Sequence, residues 1–183
     1  MVSAIMLGLP REKFDPSFRG QDLETTYFDT RRFRLRRERA KSDQYLTLRI
    51  RSYGSDTYAL SAKTESEKFR VEIDPFDAQA ALTGQYTSLW QSQLPASLLA
   101  RLNTLVDPTE ITPVVKVCCT RYATEDKINR FTLDIVPRTD TGKRLGTNVL
   151  ELKSSQASPD IIAELTPLRP IKLSKFLWST DRR

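Results

Sequence analysis

The chain has 183 residues with a net charge of +6, and its 39% hydrophobic and 28% charged residues are the proportions of one globular domain, residues 1–183. It contains no histidine, which removes His-based nucleophilic triads, imidazole general bases and His-ligated zinc. Any chemistry must rest on carboxylates, Lys, Arg, Tyr and oxygen-liganded metal, and the positive balance favours an anionic partner.

No stretch is apolar enough to cross a bilayer, and Met1 to Pro10 lacks the basic n-region and cleavage site of a secretory signal. A cytoplasmic location is expected. Residues 3 to 15 read as a short helix interrupted by Pro10. Strands follow at Thr25 to Thr30, Tyr45 to Tyr53, Tyr58 to Thr64 and Lys68 to Ile73, the last three joined by turn-forming residues into an antiparallel meander. Between the first two lies Arg31 to Lys41, with seven basic residues and only Glu38 as an acid, which reads equally well as an exposed loop face or as part of a site. Asp77 to Gly84 and Pro95 to Val106 read as helices, the second carrying Leu98, Leu99, Leu102 and Leu105 as a core-facing stripe.

Strands resume at Thr112 to Tyr122, Asn129 to Val136 and Asn148 to Lys153, followed by a short helix at Pro159 to Leu165 and a final strand within Ile171 to Trp178. The adjacent Cys118 and Cys119 fall inside a strand and read as small structural side chains. Without βαβ alternation, the order predicts an antiparallel α+β fold.

The distribution of charge along the strands is the informative feature. Period-two alternation puts Leu46, Leu48 and Ile50 on one side and Thr47, Arg49 and Arg51 on the other. The same arrangement gives Lys68, Arg70 and Glu72 one face, Arg130, Thr132 and Asp134 another, and Glu151 and Lys153 a third. Ordinary solvated faces explain any one of these strands. Solvated faces mix their polar residues, however, whereas these favour Arg and Lys. If the sheet closes with the charges inside, its interior must hold a polyanion.

The runs Thr26-Tyr27-Phe28-Asp29-Thr30, Leu48-Arg49-Ile50-Arg51, Ala59-Leu60-Ser61-Ala62-Lys63 and Lys68-Phe69-Arg70-Val71-Glu72 together resemble the CYTH, or triphosphate tunnel metalloenzyme, superfamily. The second half, with Arg121, Arg130 to Asp134, Val149 to Lys153 and Lys172 to Phe176, resembles its VTC branch of polyphosphate polymerases. The resemblance implies an antiparallel β-barrel tunnel of about eight strands with a few flanking helices. It also implies an opening strand ahead of the Tyr-Phe-Asp-Thr motif that the first residues do not supply, so either the true start lies upstream of Met1 or the barrel is one strand short. Matched by position, Arg49, Arg51, Lys63, Arg121, Arg130, Lys172 and Lys175 would line the tunnel and hold phosphate, with Lys68 and Arg70 as further members. Glu151 would be the family-matched ligand for Mg²⁺ or Mn²⁺, with Glu72 and Asp134 as secondary candidates.

The implied function is transfer of the terminal phosphate of ATP to polyphosphate. An inorganic or nucleoside triphosphatase and a non-catalytic polyphosphate-binding module are the alternatives. The Glu-x-Glu-x-Lys strand usual in the triphosphatases is not found. Nucleic acid is the least expected partner, because Phe69 and Phe131 fall opposite the charges and leave no aromatic stacking platform among them.

Overall fold

The computed structural model describes residues 20–41, 45–54, 56–85, 88–125, 129–145, 148–154 and 174–181. Seven strands form one antiparallel sheet: β1 (Gln21–Asp29), β2 (Thr47–Tyr53), β3 (Tyr58–Lys63), β4 (Lys68–Ile73), β5 (Thr112–Glu125), β6 (Asn129–Thr139) and β7 (Val149–Ser154). Their spatial order is β4-β3-β2-β1-β5-β6-β7. Five α-helices are described: α1 (Arg34–Lys41), α2 (Pro75–Leu82), α3 (Leu89–Gln93), α4 (Ala96–Leu105) and α5 (Lys175–Thr180).

Alternation divides the sheet into two unlike faces. On the outer face Phe28, Leu48, Ile50, Tyr58 and Leu60 join the helix side chains Leu35, Ala78, Ala81, Leu89, Trp90, Leu98 and Leu102 in one buried cluster. The Phe28 ring meets Trp90 edge-on, with centroids 5.0 Å apart. The predicted Leu stripe belongs here: Leu98 and Leu102 are buried, and Leu99 and Leu105 pack beside them.

The Tyr-Phe-Asp-Thr segment has a separate local job for each residue. Phe28 enters the outer core while Tyr27 faces the other way and stacks on Phe176, centroids 5.1 Å apart. The buried carboxylate of Asp29 accepts the backbone N–H groups of Thr30, Leu35 and Arg36 at 2.7, 2.9 and 2.9 Å, and so starts α1. Desolvation raises the Asp29 pKa above its ordinary value, against the opposing effect of these hydrogen bonds.

Two expectations need correction. Part of the basic run between β1 and β2 is helix α1, because Asp29 supplies its cap and Leu35 anchors it in the core. The final segment is a helix from Lys175, not a strand. The Ser174 hydroxyl accepts the Leu177 N–H at 3.3 Å, and Phe176 and Thr180, four residues apart, are both buried. The segment α3 was also not anticipated. The predicted helices at 3–15 and 159–165 lie outside the described residues.

Every neighbouring pair is antiparallel, so the edge strands β4 and β7 run in the same direction. Among the described residues they are not hydrogen-bonded to each other, and the sheet is not closed. It is nevertheless curled: after burial, Lys153 on β7 is the largest influence on Lys68 on β4. A purely antiparallel barrel needs an even number of strands, and a single further strand would fit between these two edges.

Candidate phosphate tunnel

The strand register gathers the predicted cations. Arg49 lies opposite Tyr27 and Ser61, and Arg51 opposite Thr25 and Ala59. Ser61 in turn faces Arg70, and Lys63 faces Lys68. On the other half of the sheet, Arg121 faces Asp134, and Arg130 faces Lys153. Arg49, Arg51, Lys63, Lys68, Arg70, Arg121 and Arg130 therefore project from one face, the one that the helices α2 to α4 do not cover. Lys175 joins them from α5. Lys172 lies outside the described residues.

These charges are close enough to disturb one another. Burial, then Arg51, lowers the Arg49 pKa, while Tyr27 and Tyr53 oppose that shift. Lys68 is lowered by burial and then by Lys153, Arg49, Arg70 and Lys63. Lys175 is pushed down to about 8 by burial and by Arg121, Arg51 and Arg49, with Cys119 opposing. Mutual repulsion of this kind marks a surface short of anions, and a polyanion would relieve it.

At the β5–β6 end the shortage is met internally. Asp134, only 3% exposed at its side chain, accepts the Arg121 fork at Oδ1 and Oδ2, 2.6 and 2.8 Å away, and also the Lys175 ammonium. Asp134 was a secondary metal candidate. Both its oxygens are engaged by cations, so we assign it to this ion cluster and not to a metal.

Glu151 sits on the cationic face opposite Thr132, half exposed and 3.5 Å from Lys153. Glu72 sits on the same face opposite Ala59 and is exposed. Among the described residues no three Asp, Glu, Cys or His side chains converge as a cage for a metal. Magnesium commonly takes one or two carboxylates and completes its shell with water and phosphate oxygens, so Glu151 fits an ion shared with a substrate.

Several contributors lay outside the predicted set. Tyr53 ends the Arg49–Arg51 strand, and its ring lies 5.0 Å from the Arg70 guanidinium carbon and 5.9 Å from that of Arg51. The Thr25 hydroxyl accepts from Arg51 Nε at 3.0 Å. Arg39 reaches from α1 to Thr47 at 2.9 Å and Ser174 at 3.1 Å, and Arg36 donates to Thr180 at 2.8 Å. Lys143 donates to the backbone oxygens of Trp178 and Asp181 at 2.7 and 2.8 Å, so α5 is held at both ends with Lys175 turned to the cations. The alternation that exposed Arg49 and Arg51 would also have flagged Tyr53 and Thr25. The contacts of Arg36, Arg39 and Lys143 depend on tertiary folding.

The sequence matches the VTC domain family over residues 7–181. The chain belongs to that family. No curated protein matches the sequence. Among solved structures, a candidate adenylate cyclase from Bacillus halodurans superposes with a TM-score of 0.61 at 12% identity, covering 97% of this chain and 88% of that one. A candidate adenylyl cyclase from Hippeastrum, described as having a dominant triphosphatase activity, gives 0.51 at 17% identity over 82% and 74% of the two chains. At these identities the likeness shows the fold alone, an antiparallel α+β sheet with flanking helices. Among the described residues no helix is long and apolar enough to cross a membrane.

Proposed function

We propose that this VTC domain binds triphosphate or polyphosphate on the cationic face of its sheet and transfers the terminal phosphate of ATP to a growing polyphosphate chain. The observation that carries the reading is the register, which sets Arg49, Arg51, Lys63, Lys68, Arg70, Arg121 and Arg130 on one face and the apolar core on the other. The solved Hippeastrum structure, whose described activity is that of a triphosphatase, adds support from a shared fold.

Phosphoryl transfer asks a protein chiefly to align the reactants and neutralise their charge. The Arg49, Arg51, Arg70 and Arg121 forks would grip adjacent phosphate oxygens, and the Lys ammoniums would offset charge along the chain. The terminal oxygen of polyphosphate attacks the γ-phosphorus of ATP as the bond to the β-phosphate oxygen breaks, and ADP leaves. Glu151 would hold Mg²⁺ or Mn²⁺, which would supply further neutralisation of phosphate charge when bound. An incoming polyanion would compete with Asp134 for Arg121 and Lys175.

The test is to incubate the purified chain with ATP and Mn²⁺ or Mg²⁺ and to separate long-chain polyphosphate from free phosphate. Polymer is the expected product. Free phosphate alone would make the domain a triphosphatase, retained binding without turnover would make it a binding module, and no binding would overturn the proposal.

A further inference from the structure

Helix α1 is cationic on two flanks, and only one of them serves the tunnel. Arg36 and Arg39 turn toward α5 and β2. Arg34, Arg37 and Lys41, spaced three and four residues apart, share another flank. With Glu38, Thr104 and Leu105 they line a cavity of about 430 Å³. Leu105 packs on the outer core, so this cavity belongs to the helical side of the sheet and not to the cationic face.

We propose that this cavity is a second anion site that takes a compact, multiply charged phosphate. Three features favour that occupant. Glu38, four residues after Arg34 and three before Lys41, offsets part of the repulsion among the three cations, and a bound anion would relieve the remainder. Two guanidinium forks and an ammonium are the donor set that phosphate oxygens accept best, while the Thr104 hydroxyl is turned to the Arg101 carbonyl at 2.8 Å and does not contribute. The volume lies toward the small end of ligand sites, which suits pyrophosphate or tripolyphosphate better than an extended chain. Among the described residues no aromatic side chain lines the cavity and the only apolar member is Leu105, which argues against nucleobase stacking and against membrane insertion. The same helix thus serves two anion sites, holding α5 and its Lys175 with one flank and facing the cavity with the other.

Calorimetric titration of the full chain with sodium tripolyphosphate at low ionic strength tests this, with thermal unfolding used to confirm that each variant is folded. Two classes of site are expected. Arg34→Ala with Arg37→Ala should weaken one class by at least about tenfold, while Arg34→Lys with Arg37→Lys, which keeps the charge and loses the forks, should weaken it less. Arg49→Ala with Arg51→Ala should instead weaken the other class. A single class indifferent to the Arg34 and Arg37 changes would overturn the second site. So would loss of binding to anionic lipid vesicles in the Arg34/Arg37 variant with tripolyphosphate binding intact. If the Arg49/Arg51 variant binds normally while the Arg34/Arg37 variant binds nothing, the second site stands and the tunnel proposal falls.

Discussion

The two faces of the sheet are built from the same strands by opposite rules. On the outer face Leu48, Ile50 and Leu60 are buried among helix side chains, and their contribution is apolar area removed from water. On the other face their neighbours Arg49 and Arg51 are held near further cations, with hydroxyls and aromatic rings as partners. One face contributes stability. The other stores unsatisfied charge, which costs stability and prepares the surface for an anion.

The contrast is sharpest at Trp90 and Asp134, where opposite means give similar importance. Trp90→Ala should cost about 3–5 kcal/mol by opening a cavity in the outer core. Asp134→Asn should cost about as much, about 3–5 kcal/mol, because Arg121 and Lys175 would be left buried without their counter-charge. Added tripolyphosphate should restore the melting temperature of Asp134→Asn and should not rescue Trp90→Ala beyond the shift that it gives the unaltered chain. Denaturant unfolding with and without the anion checks both. Equal rescue of the two variants would break the distinction between the faces.

A comparable separation is expected within β2 alone. Arg49→Ala with Arg51→Ala should reduce phosphate affinity about 100-fold, from the loss of charge-assisted hydrogen bonds, and should leave ligand-free stability unchanged or raised. Leu48→Ala should do the reverse, costing about 2–5 kcal/mol of stability with little change in affinity of the folded protein.

These residues also show what the sequence could reveal. Period-two alternation in Thr47 to Arg51 and Lys68 to Ile73 was enough to assign each side chain to a face, because a strand permits only two directions. Helix α4 was equally legible from its Leu spacing. Helix α1 was hidden, since its only buried side chain is Leu35 and its start depends on the carboxylate of Asp29, which belongs to the preceding strand. The last segment misled for a related reason: Phe176, Leu177 and Trp178 suit a strand as readily as a helix, and the cap at Ser174 and the clamps from Arg36, Arg39 and Lys143 decide it. Asp134 had the right face but an unforeseen partner, because Lys175 arrives from a distant part of the chain.

Smaller effects sharpen the functional side of the comparison. Glu151→Gln should lower metal-dependent turnover by roughly tenfold to 100-fold, while polyphosphate affinity measured without metal stays close to that of the unaltered chain. The exposure of Glu151 means that stability should change by less than about 0.5 kcal/mol. Unchanged turnover would remove Glu151 as the metal ligand.

The mildest effect is on pH dependence. With a pKa near 8, Lys175 is charged below that pH and neutral above it. Only the charged form attracts phosphate, so affinity should fall a few-fold as pH rises through about 8, and binding near that pH should take up protons as the anion raises the Lys175 pKa. Lys175→Arg, which stays charged, should flatten the profile. Calorimetry in buffers of different ionisation enthalpy measures both quantities.

The central claim is that polyphosphate is held by the inward-facing cations of the sheet and not by net positive charge at large. The most direct measurement compares polyphosphate affinity, over a range of salt concentration, for Arg49→Ala with Arg51→Ala against Arg31→Ala with Arg32→Ala. Both pairs lose two charges, but Arg31 and Arg32 are exposed in the turn before α1. Exposed charges are screened beyond about 8 Å at physiological salt, whereas shielded ones are screened much less. The account predicts a loss at least about tenfold greater for the Arg49/Arg51 pair, with the difference persisting as salt is raised. Equal losses that vanish together at high salt would contradict it and would assign binding to a diffuse basic surface.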